Sequence, residues 1–406
     1  MKYIVIIGDG MADRPLPQLS GKTPLQVANT PNMDKLASEG IIGFVKTIPD
    51  GFPAGSDVAN LSLLGYDPSK YYSGRAPLEA ASMGINLSDN DVAYRCNLVS
   101  LSFSGDIKNA IMDDYSAGHI STEEARQLIS LLNEKLSNES FKFYPGVSYR
   151  HLMIWHNGVN DIECMPPHDI SGKPINDYLP KGDGAKYLIS LMNDSFDILQ
   201  SHPVNNKRLT NGKKMANSIW FWGQGKKPIM PKFLDKYGLK GALVSAVDLT
   251  KGLGLYAGFK IINVPGATGW IDTNYQGKAQ YSLDALQDFD FIYLHIEAPD
   301  EAGHSGIIDY KIQAIEDLDA KIVGPVFHGA VERFNDFRIL ITPDHPTPIE
   351  IRTHSNEPVP FIIYDSKNNK GSSGKKYDEN ILQDKDAIFI QEGHTLMDYF
   401  IKEVLI

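Results

Sequence analysis

The sequence predicts an α/β fold, a doubly wound and mostly parallel sheet with a smaller α+β domain inserted into it. Two observations carry this prediction. At both ends of the chain, short unbroken apolar runs alternate with stretches of helical spacing, the pattern of strands buried on both faces of a parallel sheet. Between about residue 77 and residue 218 the strands are of more mixed polarity, which marks a separate block. The expected division is therefore a core of 1–76 with 219–406 and an insert of 77–218.

The elements follow in order. Residues 3–7 form an apolar run ending in Gly8-Asp9-Gly10, a central strand opening into a loop. Thr30-Pro31-Asn32 opens a helix over 33–39 that Gly40 closes, with a capping residue and proline at its start. Further strands are expected at 242–247, 260–264, 289–296, 338–342 and 360–364, with helices at 309–323 and 394–403. In the insert, 91–102, 141–144 and 149–156 read as strands, and His156-Asn157-Gly158 is a hairpin signal. Amphipathic helices are expected at 121–136, which opens Ser-Thr-Glu-Glu like a capping box, and at 185–199. Residues 201–214 are polar and basic and read as a linker, and 367–376 as a solvated low-complexity loop. Trp220-Phe221-Trp222 near the domain junction reads as core.

Composition excludes several classes. The 406 residues suffice for two or three domains, and 42% hydrophobic with 22% charged residues excludes wholesale disorder. Lys+Arg is 39 against Asp+Glu 50, a formal net charge of -11, which argues against nucleic acid or an anionic membrane as partner. A small anionic substrate held by local arginines or a metal remains compatible. No apolar run is long enough to span a bilayer. Two cysteines, Cys96 and Cys164, make a disulfide framework implausible, and a cytoplasmic enzyme with reduced thiols is expected.

Metal-type side chains gather at strand ends. Asp300 and His304 stand four apart just after the strand at 289–296, and Asp344-His345 follows the strand at 338–342. Asp9 terminates the first strand, and His354 lies in Arg352-Thr353-His354-Ser355-Asn356. Singly, each has a bland reading as a turn residue, a strand end or a core histidine. Jointly, strand ends carrying Asp or His fit packing poorly, and open α/β sheets place their sites at the carboxyl ends of strands. Mixed carboxylate and imidazole ligands suit Mn²⁺, Zn²⁺ or Fe better than Ca²⁺. Ser56, in Gly55-Ser56-Asp57-Val58-Ala59, starts a helix; it reads either as an N-cap or as a nucleophile at the positive end of the helix dipole.

Gly8-Asp9-Gly10, Gly55-Ser56-Asp57-Val58-Ala59, Pro299-Asp300-Glu301-Ala302-Gly303-His304, Thr342-Pro343-Asp344-His345 and Thr353-His354-Ser355-Asn356-Glu357-Pro358 stand in the order seen in the alkaline phosphatase superfamily. More narrowly, the chain resembles the archaeal-type cofactor-independent phosphoglycerate mutases, nearly end to end. Gly74-Arg75-Ala76-Pro77, Tyr94-Arg95-Cys96-Asn97-Leu98 and Ser148-Tyr149-Arg150-His151 carry the same resemblance. It implies Ser56 as the nucleophile, one metal held by Asp9, Ser56, Asp344 and His345, and a second held by Asp300, His304 and His354. It further implies interconversion of 3- and 2-phosphoglycerate through a phosphoserine, with two divalent ions (Mn²⁺ or Zn²⁺) and no bisphosphoglycerate.

That chemistry needs cationic groups for the substrate carboxylate and a site closed to water, for which the insert is the expected lid. Candidate anchors are Arg75, Arg95, His119, Arg150 and His168, the arginines preferred because they grip an anion bidentately. Lys278, after a glycine in a loop-like context, is expected to meet the phosphoryl group. Two alternatives stay open: another phosphotransferase, such as a homoserine kinase-like enzyme, and a metal-dependent phosphatase. No Gly-x-x-x-x-Gly-Lys-[Ser/Thr] occurs, so ATP binding has no motif behind it.

Overall fold

Unbroken apolar runs do become the central strands. The computed structural model describes residues 1–102, 110–368, 374–385 and 387–402. Numbered along the chain, its strands are β1 (Lys2–Gly8), β2 (Ile41–Val45), β3 (Val92–Ser102), β4 (Ile111–Asp114), β5 (Phe141–Val147), β6 (Arg150–Trp155) and β7 (Ser218–Lys226). There follow β8 (Gly241–Val244), β9 (Lys260–Ile261), β10 (Phe291–Ile296), β11 (Phe337–Thr342), β12 (Val359–Asp365) and β13 (Ile388–Ile390). The chain divides into two units, Met1–Tyr72 with Ile229–Ile406, and Ser73–Pro228.

The first unit is built on a sheet of order β13-β2-β12-β11-β1-β10-β8-β9. β1 lies between β11 and β10 and is parallel to both, whereas β12 runs antiparallel to β11 and β2. The carboxyl ends of β11, β1 and β10 therefore emerge side by side. Ile4 to Ile7 are wholly buried, each such side chain contributing about 1.5–3 kcal/mol by leaving water. On β10, Ile292, Leu294 and Ile296 join the main apolar cluster, so the alternation of a strand turns Tyr293 and His295 to the opposite face.

Several local expectations change. Thr30 makes no side-chain cap; the carboxylate of Asp319 accepts instead from the amides of Asn32 (3.2 Å) and Met33 (2.7 Å) at the start of helix Pro31–Glu39. Gly40 is extended rather than left-handed, and its need is space, since a Cβ there would lie 2.6 Å from the Ile363 carbonyl oxygen. The strands expected at 242–247 and 260–264 end at Val244 and Ile261. The helix expected over 309–323 is α-helical from Ile308 to Leu318 and widens into a π-helical turn, Asp319–Val323. The helix expected at 394–403 begins at Leu396 after a single 3-10 turn. Part of the loop expected at 367–376 lies outside the described residues.

In the second unit β3 is the hub of an antiparallel sheet, pairing with β4, β6 and β7, and β6 pairs in turn with β5. The boundaries expected at 76/77 and 218/219 shift outward, because β7 extends β3 and so belongs with this unit. His156-Asn157-Gly158 ends β6 without forming a hairpin; the hairpin is β5–β6, turning at Ser148 with φ 56°. The capping box at Ser121 and Glu124 forms at the start of helix Thr122–Leu136. Residues 201–214 are no linker: helix Pro203–Thr210 buries Arg208, which donates to Glu124 (2.8 Å) and to the carbonyls of Lys214 (2.8 Å) and Ala117. Trp220, Phe221 and Trp222 are buried, and Cys96 and Cys164 are free thiols. Among the described residues no helix is long and apolar enough to cross a membrane.

Candidate active site

Three neighbouring strand ends deliver the first group of side chains. Asp9 follows β1, Asp300 lies in helix Ala298–Ser305 after β10, and Asp344 and His345 follow β11. Gly10 is required here: φ is 61°, and a Cβ would fall 2.6 Å from Asp300 Oδ1. Asp344 is wholly buried and accepts from the amides of Gly10 (3.1 Å) and His345 (2.9 Å) and from Asn60 Nδ2 (2.8 Å). Asn60 also donates to the Ser56 carbonyl and accepts from the Tyr293 hydroxyl (2.5 Å).

Ser56 is the first residue of helix Ser56–Leu63, and Gly55 is its N-cap. The N-cap reading of Ser56 therefore falls. Its hydroxyl instead lies 2.9 Å from His345 Nε2, which is 3.5 Å from both Asp9 Oδ1 and Asp344 Oδ2.

Asp300, His304 and His354 converge beside this group, with ligand atoms within 4.8 Å of one another, as are those of Asp9, Asp300 and His345. The rings of His345 and His354 are 4.2 Å apart. In all three histidines Nδ1 faces a backbone carbonyl: Arg352 for His304 (3.0 Å), Ala54 for His354 (3.4 Å) and Pro346 for His345 (3.3 Å). A proton held on Nδ1 in this way leaves the Nε2 lone pair for a cation, and each Nε2 faces the carboxylates.

Electrostatics agree with a cation site. Burial, reinforced by the carboxylates of Asp344 and Asp300, pushes the Asp9 carboxyl well above the usual carboxylate range. Burial works against ionised Asp300, yet His304 and His354 hold it well below that range, and Asp300 in turn raises His304 to about 9. Burial lowers His345. Asp9 Oδ1 is buried without a hydrogen-bond partner, although it lies among ligand-type atoms. Crowded carboxylates, an orphaned oxygen and Nδ1 atoms turned to backbone carbonyls fit divalent cations.

In the second unit four of the five candidate anchors, Arg95, His119, Arg150 and His168, pack on aromatic rings. Arg95, on β3, stacks its guanidinium 4.2 Å from the Trp222 ring centre and donates from Nε to Glu79 (3.1 Å). Burial lowers Arg95 from its ordinary value, Glu79 opposes this, and Arg75 and Arg150 lower it further, so the three arginines share one region. His168 packs on Trp222 (5.2 Å) and Tyr115 (6.0 Å), while His119 and Arg150 both pack on Tyr149. His119, Arg150 and His168 are exposed.

Residues 37–205 match the family model described as 2,3-bisphosphoglycerate-independent phosphoglycerate mutase. The chain is 54% identical over 403 residues to the enzyme of that name from Methanosarcina barkeri, covering 99% of this chain and 100% of the relative. It is 52% identical over 398 residues to a probable enzyme of that name from Geobacter sulfurreducens, covering 98% and 99%. The chain belongs to the 2,3-bisphosphoglycerate-independent phosphoglycerate mutase family. Membership makes it an isomerase, an intramolecular phosphotransferase. Among solved structures it is similar to a Pyrococcus horikoshii protein (TM-score 0.81, 32% identity, covering 99% of this chain and 96% of that chain). It is also similar to a cofactor-independent phosphoglycerate mutase from Thermoplasma acidophilum (TM-score 0.65, 27% identity, covering 99% and 100%).

Within this mutase fold Lys278 departs from expectation. It lies not in a loop but in helix Tyr275–Ala285, wholly buried, with its ammonium on Glu297 and the Thr268 carbonyl (3.5 Å). Its ammonium is paired with the Glu297 carboxylate. Sequence reasoning also passed over Asn60, Tyr293 and His295. The signals were available: Asn60 is four residues from Ser56 on one helix face, and Tyr293 and His295 share one face of β10.

Proposed function

We propose that this chain interconverts 3-phosphoglycerate and 2-phosphoglycerate through a phosphoserine at Ser56, with two divalent cations and no added bisphosphoglycerate. One cation would be held by Asp9, Ser56, Asp344 and His345, the other by Asp300, His304 and His354. Bound there, the pair would lower the pKa of the serine hydroxyl and neutralise charge on the phosphoryl group in transfer. Ser56 Oγ forms a bond to phosphorus as the bond to the substrate oxygen breaks; the glycerate then offers its other hydroxyl, and the Ser56 ester is cleaved in the reverse sense. The N-terminus of helix Ser56–Leu63 adds backbone amides and a positive dipole end for the phosphoryl oxygens.

Arg75, Arg95, Arg150, His119 and His168 hold the glycerate carboxylate, and the second unit acts as the lid that keeps water from the phosphoserine. Lys278 has no place in this chemistry beyond fixing Glu297. The observation that carries the reading is the Ser56 hydroxyl 2.9 Å from His345 Nε2, amid the two ligand groups. Purified protein with Mn²⁺ and 3-phosphoglycerate should yield 2-phosphoglycerate in an enolase-coupled assay with little inorganic phosphate. Rapid phosphate release would mark a phosphatase, and phosphohomoserine from ATP and homoserine without mutase turnover a kinase; either refutes the proposal.

A further inference from the structure

His295 is wholly buried on β10; its ring lies with the ligand-type atoms of Asp9 and Asp344, all within 4.8 Å of one another, yet it is in neither ligand set proposed above. Its ring stands between two carboxylates, with Nε2 3.5 Å from Asp9 Oδ2 and Nδ1 3.4 Å from Glu297 Oε1. Neither ring nitrogen has a hydrogen-bond partner, and neither does Asp9 Oδ1. Buried polar atoms are rarely left this way unless the site is completed by something further.

The two oxygens of Asp9 are divided. Oδ2 faces His295, whereas Oδ1 faces His345 Nε2 and, through it, the Ser56 hydroxyl. Behind the ring, Glu297 is fixed from every side. Its Oε1 accepts from Ser245 Oγ (2.8 Å) and from the amides of Ala246 (2.6 Å) and Val247 (3.3 Å), and its Oε2 from Lys278. Burial works against ionised Glu297, but Lys278 and His295 hold it well below the usual carboxylate range. A rigid anion thus holds one side of the imidazole, and the other side meets a metal-type carboxylate. Histidine and carboxylate partners behind a ligand orient it and raise metal affinity.

We infer that His295 is a positioning residue for the cation held by Asp9: its Nε2 donates to Asp9 Oδ2, so that Oδ1 stays turned toward His345 and Ser56. Glu297, braced by Lys278, keeps the ring in that orientation. The inference rests on the two-cation reading above and adds a residue that the ligand set does not contain.

The test is Mn²⁺ binding, read by isothermal titration of the full chain after chelation and dialysis. Wild type should take up two ions. Gln at this position can place its amide donor where Nε2 lies, whereas Asn reaches only as far as Nδ1. His295→Asn and His295→Leu should weaken one of the two ions about 10–100-fold and leave the other unchanged. His295→Gln should stay within about threefold of wild type, the same bracket setting the scale of a retained contact. Both ions bound as in wild type by all three variants would overturn the inference, as would equal weakening by Asn and Gln, the result expected if the ring ligated the ion itself or only filled space. The Asn–Gln comparison stands if the Leu variant fails to fold, which a thermal melt of each metal-free variant establishes. A wild-type chain that takes up no second ion would overturn the two-cation reading itself, a result distinct from either of these.

Discussion

Replacing Lys278 by Met separates a buried structural cation from a substrate ligand. The side chain is wholly buried, so Met fills nearly the same space and the loss is that of the ion pair with Glu297, itself 2% exposed, and of the long contact to the Thr268 carbonyl. Breaking a buried pair from one side costs about 3–5 kcal/mol, because the remaining charge is stranded. Glu297 would keep the Ser245 hydroxyl and the amides of Ala246 and Val247, which points to the lower half of that range. At about 2–4 °C per kcal/mol for a unit of this size, the melting temperature should fall by roughly 6–16 °C. The double variant Lys278→Met with Glu297→Gln removes both charges and should recover at least half of the loss, since neutral replacement of both partners is far cheaper than stranding one. The assay is thermal melting followed by circular dichroism, with KM for 3-phosphoglycerate measured below the melting range. A Lys278→Met protein that melts within about 2 °C of wild type but shows a KM raised ~10-fold or more would refute the reasoning and return Lys278 to the substrate.

Three further outcomes are expected. Arg150 is exposed against Tyr149, so Arg150→Ala should leave stability within about 0.5 kcal/mol of wild type. It should raise KM about 10–100-fold, the worth of a charge-assisted hydrogen bond to the substrate; an unchanged KM in the coupled assay removes it from the anchors. Arg208→Ala strands Glu124 and two carbonyls, and should destabilise the second unit by about 3–5 kcal/mol while Mn²⁺ uptake by the native protein stays as in wild type; denaturant melting checks the first and calorimetry the second. Burial raises Glu379 from 4.5 to about 7, so the stability it contributes is full below about pH 4.5 and is lost as pH rises through 7. Wild type should therefore lose melting temperature between pH 5 and 8 relative to Glu379→Gln, and a pH-independent difference between the two proteins contradicts this, within a window set by about those two values.

The candidate ligands were legible because each belongs to a short motif at the end of an apolar run, and a parallel sheet must bring such ends together. Asp9, Asp300, Asp344 and His345 are of this kind. Ser56 was legible as a helix start, but its choice between N-cap and nucleophile depended on Gly55 taking the cap. What escaped was set by partners remote in sequence. Asp319 caps a helix that starts near residue 31, and nothing local to Thr30 announces this. Lys278 looked like a loop residue because Gly277 precedes it, yet Asn274 caps the helix by accepting from the Gly277 amide (2.8 Å), and Glu297 claims the ammonium. Arg208 sits in a polar stretch whose burial follows only from packing on helix Thr122–Leu136 and the chain near Ala117. His295 was hidden by its apolar neighbours, which made the whole of β10 read as core.

The central claim is that Ser56 carries the phosphoryl group between the two hydroxyls of glycerate. Mn²⁺-loaded protein mixed with 3-phosphoglycerate, quenched in acid within the turnover time and digested, tests it directly by mass spectrometry. A phosphate on the peptide bearing Ser56, absent in Ser56→Ala and absent without metal, is the predicted result. An unmodified Ser56 in a protein turning over substrate, or full turnover by Ser56→Ala, would contradict it.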